Sequence, residues 1–460
     1  MDVEILARVQ FAFTIAFHYI YPPLSIGLGV ALVIFEALYL KTGEKVYEQL
    51  TKFWVKIFAL TFAIGVATGI VMEFEFGTNW ATYSRYVGDV FGSALASEGI
   101  FAFFLESGFL ALLVFGWDRI SPKMHFLSTI MVALGSIFSA VWIVVANSWM
   151  QTPAGYKIVQ HGTNQRAEIT NFWEMVFNPS AAERLIHTLG GAFSAGAFLV
   201  VSISAFYLLT NRHVEAAKKS LKVGIIYAVC VSFFQLFSGH QSAINVSKYQ
   251  PAKLAAMEAQ YKTGTGDLYL FGWVDNKNEK TYGISVPGLL GFMISGDFNH
   301  QVKGLDQYKK EDRPPVNFVF QTYHIMIMVG SALIGLSSLA VFLLWRGKLY
   351  ENKFVLFLLT LSVLGPQIGN QAGWFTSEVG RQPWIVYGLL RTNQGLSKAV
   401  KAEHIIFSLI LFSLVYILLF ALFIYLLNEK IKHGPEDESN HDDNPTYQSQ
   451  KQLFHKNIEN

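Results

Sequence analysis

The sequence predicts an all-α, polytopic membrane protein with about nine transmembrane helices, each needing roughly 20 apolar residues to cross the hydrocarbon. Three observations predict it. Of 460 residues, 52% are hydrophobic and 15% aromatic. Only 15% are charged, where a soluble domain averages about 25%. The charges are also bunched, leaving long stretches without Asp, Glu, Lys or Arg. Net charge is +2, from 35 basic and 33 acidic residues, so nothing argues for a nucleic-acid partner. The single cysteine, Cys230, excludes a disulfide framework, a four-cysteine zinc site and a cysteine-held iron–sulfur cluster within this chain. Metal chemistry would have to use His, Met or carboxylates.

In chain order the charge-free stretches are 9–35, 57–72, 126–156, 185–211, 223–247, 314–345, 354–377 and 404–428. A further apolar stretch, 93–117, is interrupted only by Glu98 and Glu106. The first stretch is too long for a signal-peptide core and has no basic segment ahead of it, so it is expected to stay as an anchor. Basic residues set the orientation. One set of connections carries Lys41, Lys45, Lys52 and Lys56, then Arg119 and Lys123, then Arg212, Lys218, Lys219 and Lys222, then Arg346, Lys348 and Lys353, then Lys430 and Lys432. The opposite set has Arg85, Lys157 and Arg166 in its short loops. The N-terminus is therefore expected outside and the C-terminus in the cytoplasm. Residues 1–428 form the membrane domain, with a long polar outside loop at about 248–313, and residues 429–460 read as a disordered cytoplasmic tail. No internal repeat is evident.

Ionisable groups at membrane depth cost about 2.5–3.5 kcal/mol each on insertion scales, so each asks for a reason. His18 lies about 15 Å into the first stretch at the helical rise. It is either a histidine bonded to a backbone carbonyl or a metal or haem ligand. Glu98 and Glu106 are eight residues apart, which in a helix is roughly 80° past two turns and about 12 Å of rise. They suit stations on a proton path, or else interhelical hydrogen-bond partners. Glu73 and Glu75 could simply be interfacial. His187 stands near the start of its stretch, close to Arg184, where it could snorkel to water. Met326 is an ordinary core filler or, at a depth similar to His187, half of a His/Met axial pair for an electron-transfer haem. Trp374, Glu378 and Arg381 follow i, i+4, i+7 and share a helical face. They could serve a haem iron and its propionates, or form a salt bridge at a helix end that Pro383 terminates.

Five segments then carry a resemblance. They are Gln10 to Gly27 around His18; Glu73-Phe74-Glu75-Phe76-Gly77 followed by Asn79-Trp80; Phe101-Ala102-Phe103-Phe104-Leu105-Glu106-Ser107; Ala146-Asn147-Ser148-Trp149-Met150-Gln151; and Gly380-Arg381-Gln382-Pro383-Trp384. In this order they resemble subunit I of the cytochrome bd-type quinol oxidases, over the chain to about residue 427. The resemblance implies three haems: a low-spin haem b, a high-spin haem b, and a haem d or a further haem b in its place. It implies His187 and Met326 as low-spin ligands, and His18 and Glu378 as ligands of the two high-spin haems; which serves which differs within the family. Trp374 and Arg381 accompany Glu378. Glu98, Glu106, Ser107, Ser139 and Asn147 take haem-adjacent and proton-path positions. Lys253 and Glu258, in Lys253-Leu254-Ala255-Ala256-Met257-Glu258, resemble the quinol-oxidation segment.

The chain departs from many relatives in reading Tyr323-His324-Ile325-Met326, with His324 where arginine is common. Met328 offers a second register and His324 a second ligand. That form, the ending Trp384-Ile385-Val386-Tyr387-Gly388 and the short quinol loop resemble the cyanide-insensitive branch, which can hold little or no haem d. The family implies quinol oxidation at the outer face and reduction of O2 to water with cytoplasmic protons, electrogenic without a pump, in a bacterial inner membrane. It also implies a second large membrane subunit (subunit II) and a possible small accessory one. No helix shows the clustered histidines a copper site needs. Two other classes fit the residues alone: a haem-b membrane anchor of a quinone-linked dehydrogenase, and a cofactor-free proton-coupled transporter using Glu98 and Glu106.

Overall fold

The structure, a computed structural model, describes residues 2–162 and 164–436. Among them, nine helical spans are long and apolar enough to cross a membrane: Val3–Thr42, Lys45–Thr78, Gly88–Phe115, Pro122–Gln151, Ala181–Leu209, Val214–Tyr249, Lys310–Trp345, Lys353–Val379 and Ala402–His433. We call them the first to ninth spans. They match the expected stretches one for one and run past them at most ends. Charges lying between the first two stretches pair on the second helix instead of interrupting it: Glu48 accepts from Lys45 at 3.0 Å and from Lys52 at 2.6 Å. The ninth span likewise continues to His433, so residues 429–433 extend a helix; the rest of the expected tail, from 437, lies outside the described residues.

Two spans are irregular at places that matter. The first is broken into Val3–His18 and Tyr21–Thr42. Pro22 and Pro23 cannot donate to the preceding turn, so the ladder fails there, and His18 becomes the last residue of its helix. In the third span, Glu98–Phe103 forms a π-helix between Gly88–Ser97 and Phe104–Phe115. π-Bulges insert an extra residue per turn and are frequent at functional sites. The angle between Glu98 and Glu106 expected for an ideal helix does not survive it.

The fifth span is the centre of the bundle. Phe198, Val200, Val201 and Ala205 are fully buried in it. Gly27 of the first span and Gly196 of the fifth meet backbone to backbone, where any Cβ would collide. Small residues allow such close approach between helices in lipid. The seventh and ninth spans expose apolar side chains such as Phe342, Phe407 and Leu418, as lipid-facing helices do.

The loop at about 248–313 is more ordered than its polar composition suggested. After the sixth span it forms a short helix, Pro251–Met257, an antiparallel hairpin of Leu268–Asp275 with Lys280–Val286, and a helix Leu289–Ser295. A second hairpin, Tyr156–His161 with Asn164–Ile169, follows the fourth span. These caps leave the class all-α.

Candidate functional site

His18 ends its helix half, and its ring packs on the second span. Its Nδ1 lies 2.9 Å from Thr68 Oγ1, and a Cβ on Gly69 would stand 3.3 Å from its Cε1. His187 on the fifth span packs the same way on the sixth. Its Nδ1 lies 3.0 Å from Ser238 Oγ, and a Cβ on Gly239 would stand 3.3 Å from its Cε1. Neither Nε2 has a hydrogen-bond partner among the described residues.

Met326 on the seventh span turns inward against the eighth, where a Cβ on Gly373 would come within 2.8 Å of its Sδ. Met328 points outward and is 48% exposed. His324 is buried and fully engaged: Nδ1 lies 2.8 Å from the Phe320 carbonyl and Nε2 2.8 Å from the Tyr269 carbonyl. Nε2 therefore ties the seventh span to the hairpin, Nδ1 bonds back within its own helix, and both ring nitrogens are occupied. Of the alternatives open in the sequence, the geometry favours Met326.

Glu378 is the hub of a polar cluster at the end of the eighth span. One carboxylate oxygen accepts from Asn147 Nδ2 at 3.0 Å and Gln151 Nε2 at 3.3 Å. The other pairs with Arg381 at 2.5 Å. Arg184 donates to Ser377 Oγ at 3.0 Å and to Asn147 Oδ1. Lys253, from the loop after the sixth span, donates to Gln151 Oε1 at 2.5 Å. Its stem packs on Gly380, where a Cβ would meet its Cγ at 2.9 Å. Lys253 and Glu378 are thus joined through Gln151, a link the spacing of the two residues could not show. Trp374 lies one turn back, its ring 5.2 Å from that of Phe375 and unbonded to the cluster.

Glu98 and Glu106 both reach the fourth span. Ser139 donates to Glu98 at 2.5 Å and Ser136 donates to Glu106. Ser136 and Ser139 are one turn apart, about 4.5 Å of rise, so the carboxyl groups approach more closely than the 12 Å of an ideal helix. Ser107 does not join them; its hydroxyl donates to the Phe103 carbonyl at 2.7 Å. Glu75 is buried within the protein. It is 1% exposed and accepts from Thr14 at 2.7 Å, while Glu73 alone faces outward.

Sequence reasoning missed one buried cluster. Glu36 accepts from Thr129 and lies 2.6 Å from His125 Nδ1, whose Nε2 lies 3.1 Å from the Leu113 carbonyl. Glu36 and His125 are each 1% exposed. They fell just outside the charge-free stretches and so read as loop residues. The fourth span carries His125, Thr129, Ser136, Ser139, Asn147 and Gln151 at spacings of three, four, seven and eight, a polar stripe that could have found them.

Beside Lys253 a cavity of about 210 Å³ opens against Tyr308, Arg381, Trp384 and Tyr387. Burial, then the guanidinium groups of Arg184 and Arg381, push the Lys253 ammonium well below its ordinary range. Glu258 caps the short helix on its other side and faces the Tyr323 hydroxyl. Its oxygens are buried without a well-formed hydrogen bond. Burial pushes its carboxyl group up to about 8, against the opposing effect of Tyr323. The two loop residues have separate partners, Gln151 for Lys253 and Tyr323 for Glu258.

The donor set fits haem. Two imidazoles keep Nε2 open, a thioether faces inward, and a carboxylate is held by amides and a guanidinium. Arg184 Nε and Arg381 Nη1 are buried N–H groups without a partner among the described residues, suited to acidic propionates.

The comparisons with known proteins agree in kind. A family profile described as cytochrome bd terminal oxidase subunit I matches residues 6–435. The cytochrome bd ubiquinol oxidase subunit 1 of Bacillus subtilis is 40% identical over 455 residues, covering 96% of each chain. The cytochrome bd-II ubiquinol oxidase subunit 1 of Escherichia coli is 34% identical, covering 94% of this chain and 97% of that one. The structure of bd oxidase from Geobacillus thermodenitrificans superposes with a TM-score of 0.87 at 28% identity, covering 94% of this chain and 99% of its own.

Proposed function

Because the chain belongs to the cytochrome bd terminal oxidase subunit I family, whose members carry haem and work with quinol and O2 in a membrane, we propose a division of labour among its residues. Membership also sets aside the dehydrogenase-anchor and transporter readings. The observation that carries the proposal is the bonded link from Lys253 through Gln151 to Glu378, the residues assigned in this reading to quinol and to oxygen.

His187 and Met326 hold the low-spin haem b, and His18 and Glu378 hold the two high-spin haems, one of them haem d or a further haem b. When bound, haem supplies electron transfer and the binding and reduction of oxygen. Arg184 and Arg381 hold propionates with their free N–H groups. Trp374, one turn before Glu378, would accompany it beside the group that Glu378 holds. In the cavity beside it, Lys253 orients one quinol oxygen. Glu258, beside Tyr323 at the end of the same short helix, serves as the general base that takes up a quinol proton.

The loop lies outside, so protons from quinol leave there, while Glu106, Ser136, Ser139 and Glu98 relay cytoplasmic protons inward. Charge separation follows from the two sides alone, without pumping and without copper. The basic connections support this orientation in a bacterial inner membrane. The lipid-like apolar faces of the outer spans leave room for a second large subunit and a small accessory one.

One experiment tests both ends. Oxygen uptake is measured with quinol and with an artificial donor that bypasses the loop. Glu258→Ala and Lys253→Ala are expected to lose at least tenfold with quinol and little with the artificial donor, with all haems retained. Glu106→Gln, which keeps hydrogen bonding but not the titratable proton, slows both donors alike. The wild-type quinol rate should also rise as pH passes through about 8, because Glu258 becomes the carboxylate that can take a proton. Equal losses with both donors in the loop variants would assign the loop to assembly, and unchanged turnover in Glu106→Gln would remove it from the path.

A further inference from the structure

The two histidines set against haem share a device. On the second span the sequence reads Thr68-Gly69, and on the sixth it reads Ser238-Gly239. In each pair the hydroxyl meets the imidazole Nδ1, at 2.9 Å for His18 and 3.0 Å for His187. In each pair the glycine lies under the adjoining ring edge, with Cε1 3.3 Å from where a Cβ would stand. A hydroxyl followed by glycine thus receives each ring on a neighbouring helix, in two unrelated parts of the chain.

The hydrogen-bond inventory fixes which atom carries the proton. A hydroxyl has one hydrogen to give. Thr68 Oγ1 lies 2.9 Å from the Ile64 carbonyl and 3.0 Å from the Gly65 carbonyl, two groups that can only accept. Ser238 Oγ lies 3.2 Å from the Gln235 carbonyl and 3.3 Å from Gln235 Oε1, again acceptors. With its hydrogen committed there, each hydroxyl oxygen accepts from Nδ1–H, and at His18 the Gly65 carbonyl is a second acceptor facing the ring. The Nδ1–H tautomer leaves the lone pair on Nε2, the nitrogen that no described residue engages. At His187 the arrangement closes on itself, because Gln235 Nε2 donates to the His187 carbonyl at 3.1 Å.

We propose that Thr68-Gly69 and Ser238-Gly239 are the positioning elements of the two histidine haem ligands: each hydroxyl fixes the tautomer and each glycine admits the ring edge, so that Nε2 is presented to iron. The inference rests on the reading of His18 and His187 as ligands. Metal-bound histidines generally donate their other N–H to an outer partner, which orients the ring and raises its basicity. A more basic ligand favours the ferric state, so the hydroxyl holds the haem potential down. Neither Thr68, Gly69, Ser238 nor Gly239 touches the metal; each acts through its histidine.

Isosteric pairs separate the hydroxyl from its volume. In the purified oxidase complex, the midpoint potential of the low-spin haem is measured by optical titration. Ser238→Thr is expected to keep it, and Ser238→Val to shift it upward with the haem still present. Gly239→Ala should change the low-spin electron paramagnetic resonance signal by tilting the ring. At the other site Thr68→Ser is neutral and Thr68→Val shifts the potential of one high-spin haem. Loss of haem in Ser238→Val but not in Ser238→Thr is also a hydroxyl effect and supports the proposal. Equal potentials in the Thr and Val variants, or equal losses in both, would overturn it. His187→Ala is the control for the underlying reading. If it keeps a normal low-spin haem, the ligand assignment fails; if it loses the haem while Ser238→Val is indistinguishable from wild type, only the positioning role fails.

Discussion

Replacing Glu378 by alanine is expected to abolish oxygen consumption and disturb the absorbance of one high-spin haem, while the low-spin haem stays. Glu378 sits 2.5 Å from Arg381 and accepts from Asn147 and Gln151. Removing one partner of a buried ion pair costs ~3–5 kcal/mol, since the remaining charge is left uncompensated. That cost alone would loosen the end of the eighth span, so a structural salt bridge and a haem ligand both predict damage. Glu378→Gln separates them. It keeps the side-chain length and an oxygen for Asn147, but its neutral amide is a poor ligand and cannot neutralise Arg381. The oxidase account expects Glu378→Gln to fold, to keep the low-spin haem, and to fall at least a hundredfold in oxygen uptake. Full activity in either variant would leave Glu378 as the partner of Arg381 and nothing more.

The second large effect is expected at the seventh span. Met326→Leu should remove the low-spin spectrum and stop quinol-driven turnover, and Met328→Leu should change neither. The two methionines are two residues apart and chemically identical. Only their direction differs, with Met326 against Gly373 and Met328 about half exposed. Leucine conserves volume, and such swaps in a packed core usually cost under about 1.5 kcal/mol, so loss of haem in Met326→Leu would report the thioether and not the packing. The reverse pattern, with Met328→Leu losing the haem, would mean the seventh span is rotated relative to this structure.

The spans were legible because burying charge is costly: an apolar stretch without Asp, Glu, Lys or Arg has few alternatives in a chain this hydrophobic. His18, His187 and Glu378 stood out for the same reason. What escaped was whatever does not show as a lone charge in an apolar run. Glu36 and His125 were hidden because each sits just past the end of a stretch, and only the fold shows them paired and buried. Thr68 and Ser238 were hidden because hydroxyls are common in helices and bond to their own backbone. The π-helical turn at Glu98 left no mark in composition, although it governs how near Glu98 comes to Glu106. The hairpin over the seventh span was read as loop because its strands mix polar and aromatic residues around Gly272 and Gly283. Lys253 and Glu258 stood out through the family resemblance, but not that Lys253 reaches Gln151 at the end of the fourth span.

The central claim is that this chain holds a low-spin haem for quinol and separate high-spin haem for oxygen. The reduced-minus-oxidised spectrum of the purified membrane protein, recorded with and without carbon monoxide and followed by pigment extraction, tests it most directly. The account predicts one low-spin haem b that carbon monoxide does not touch, together with high-spin haem that binds it. A spectrum with low-spin haem alone, or with no haem at all, would contradict the account.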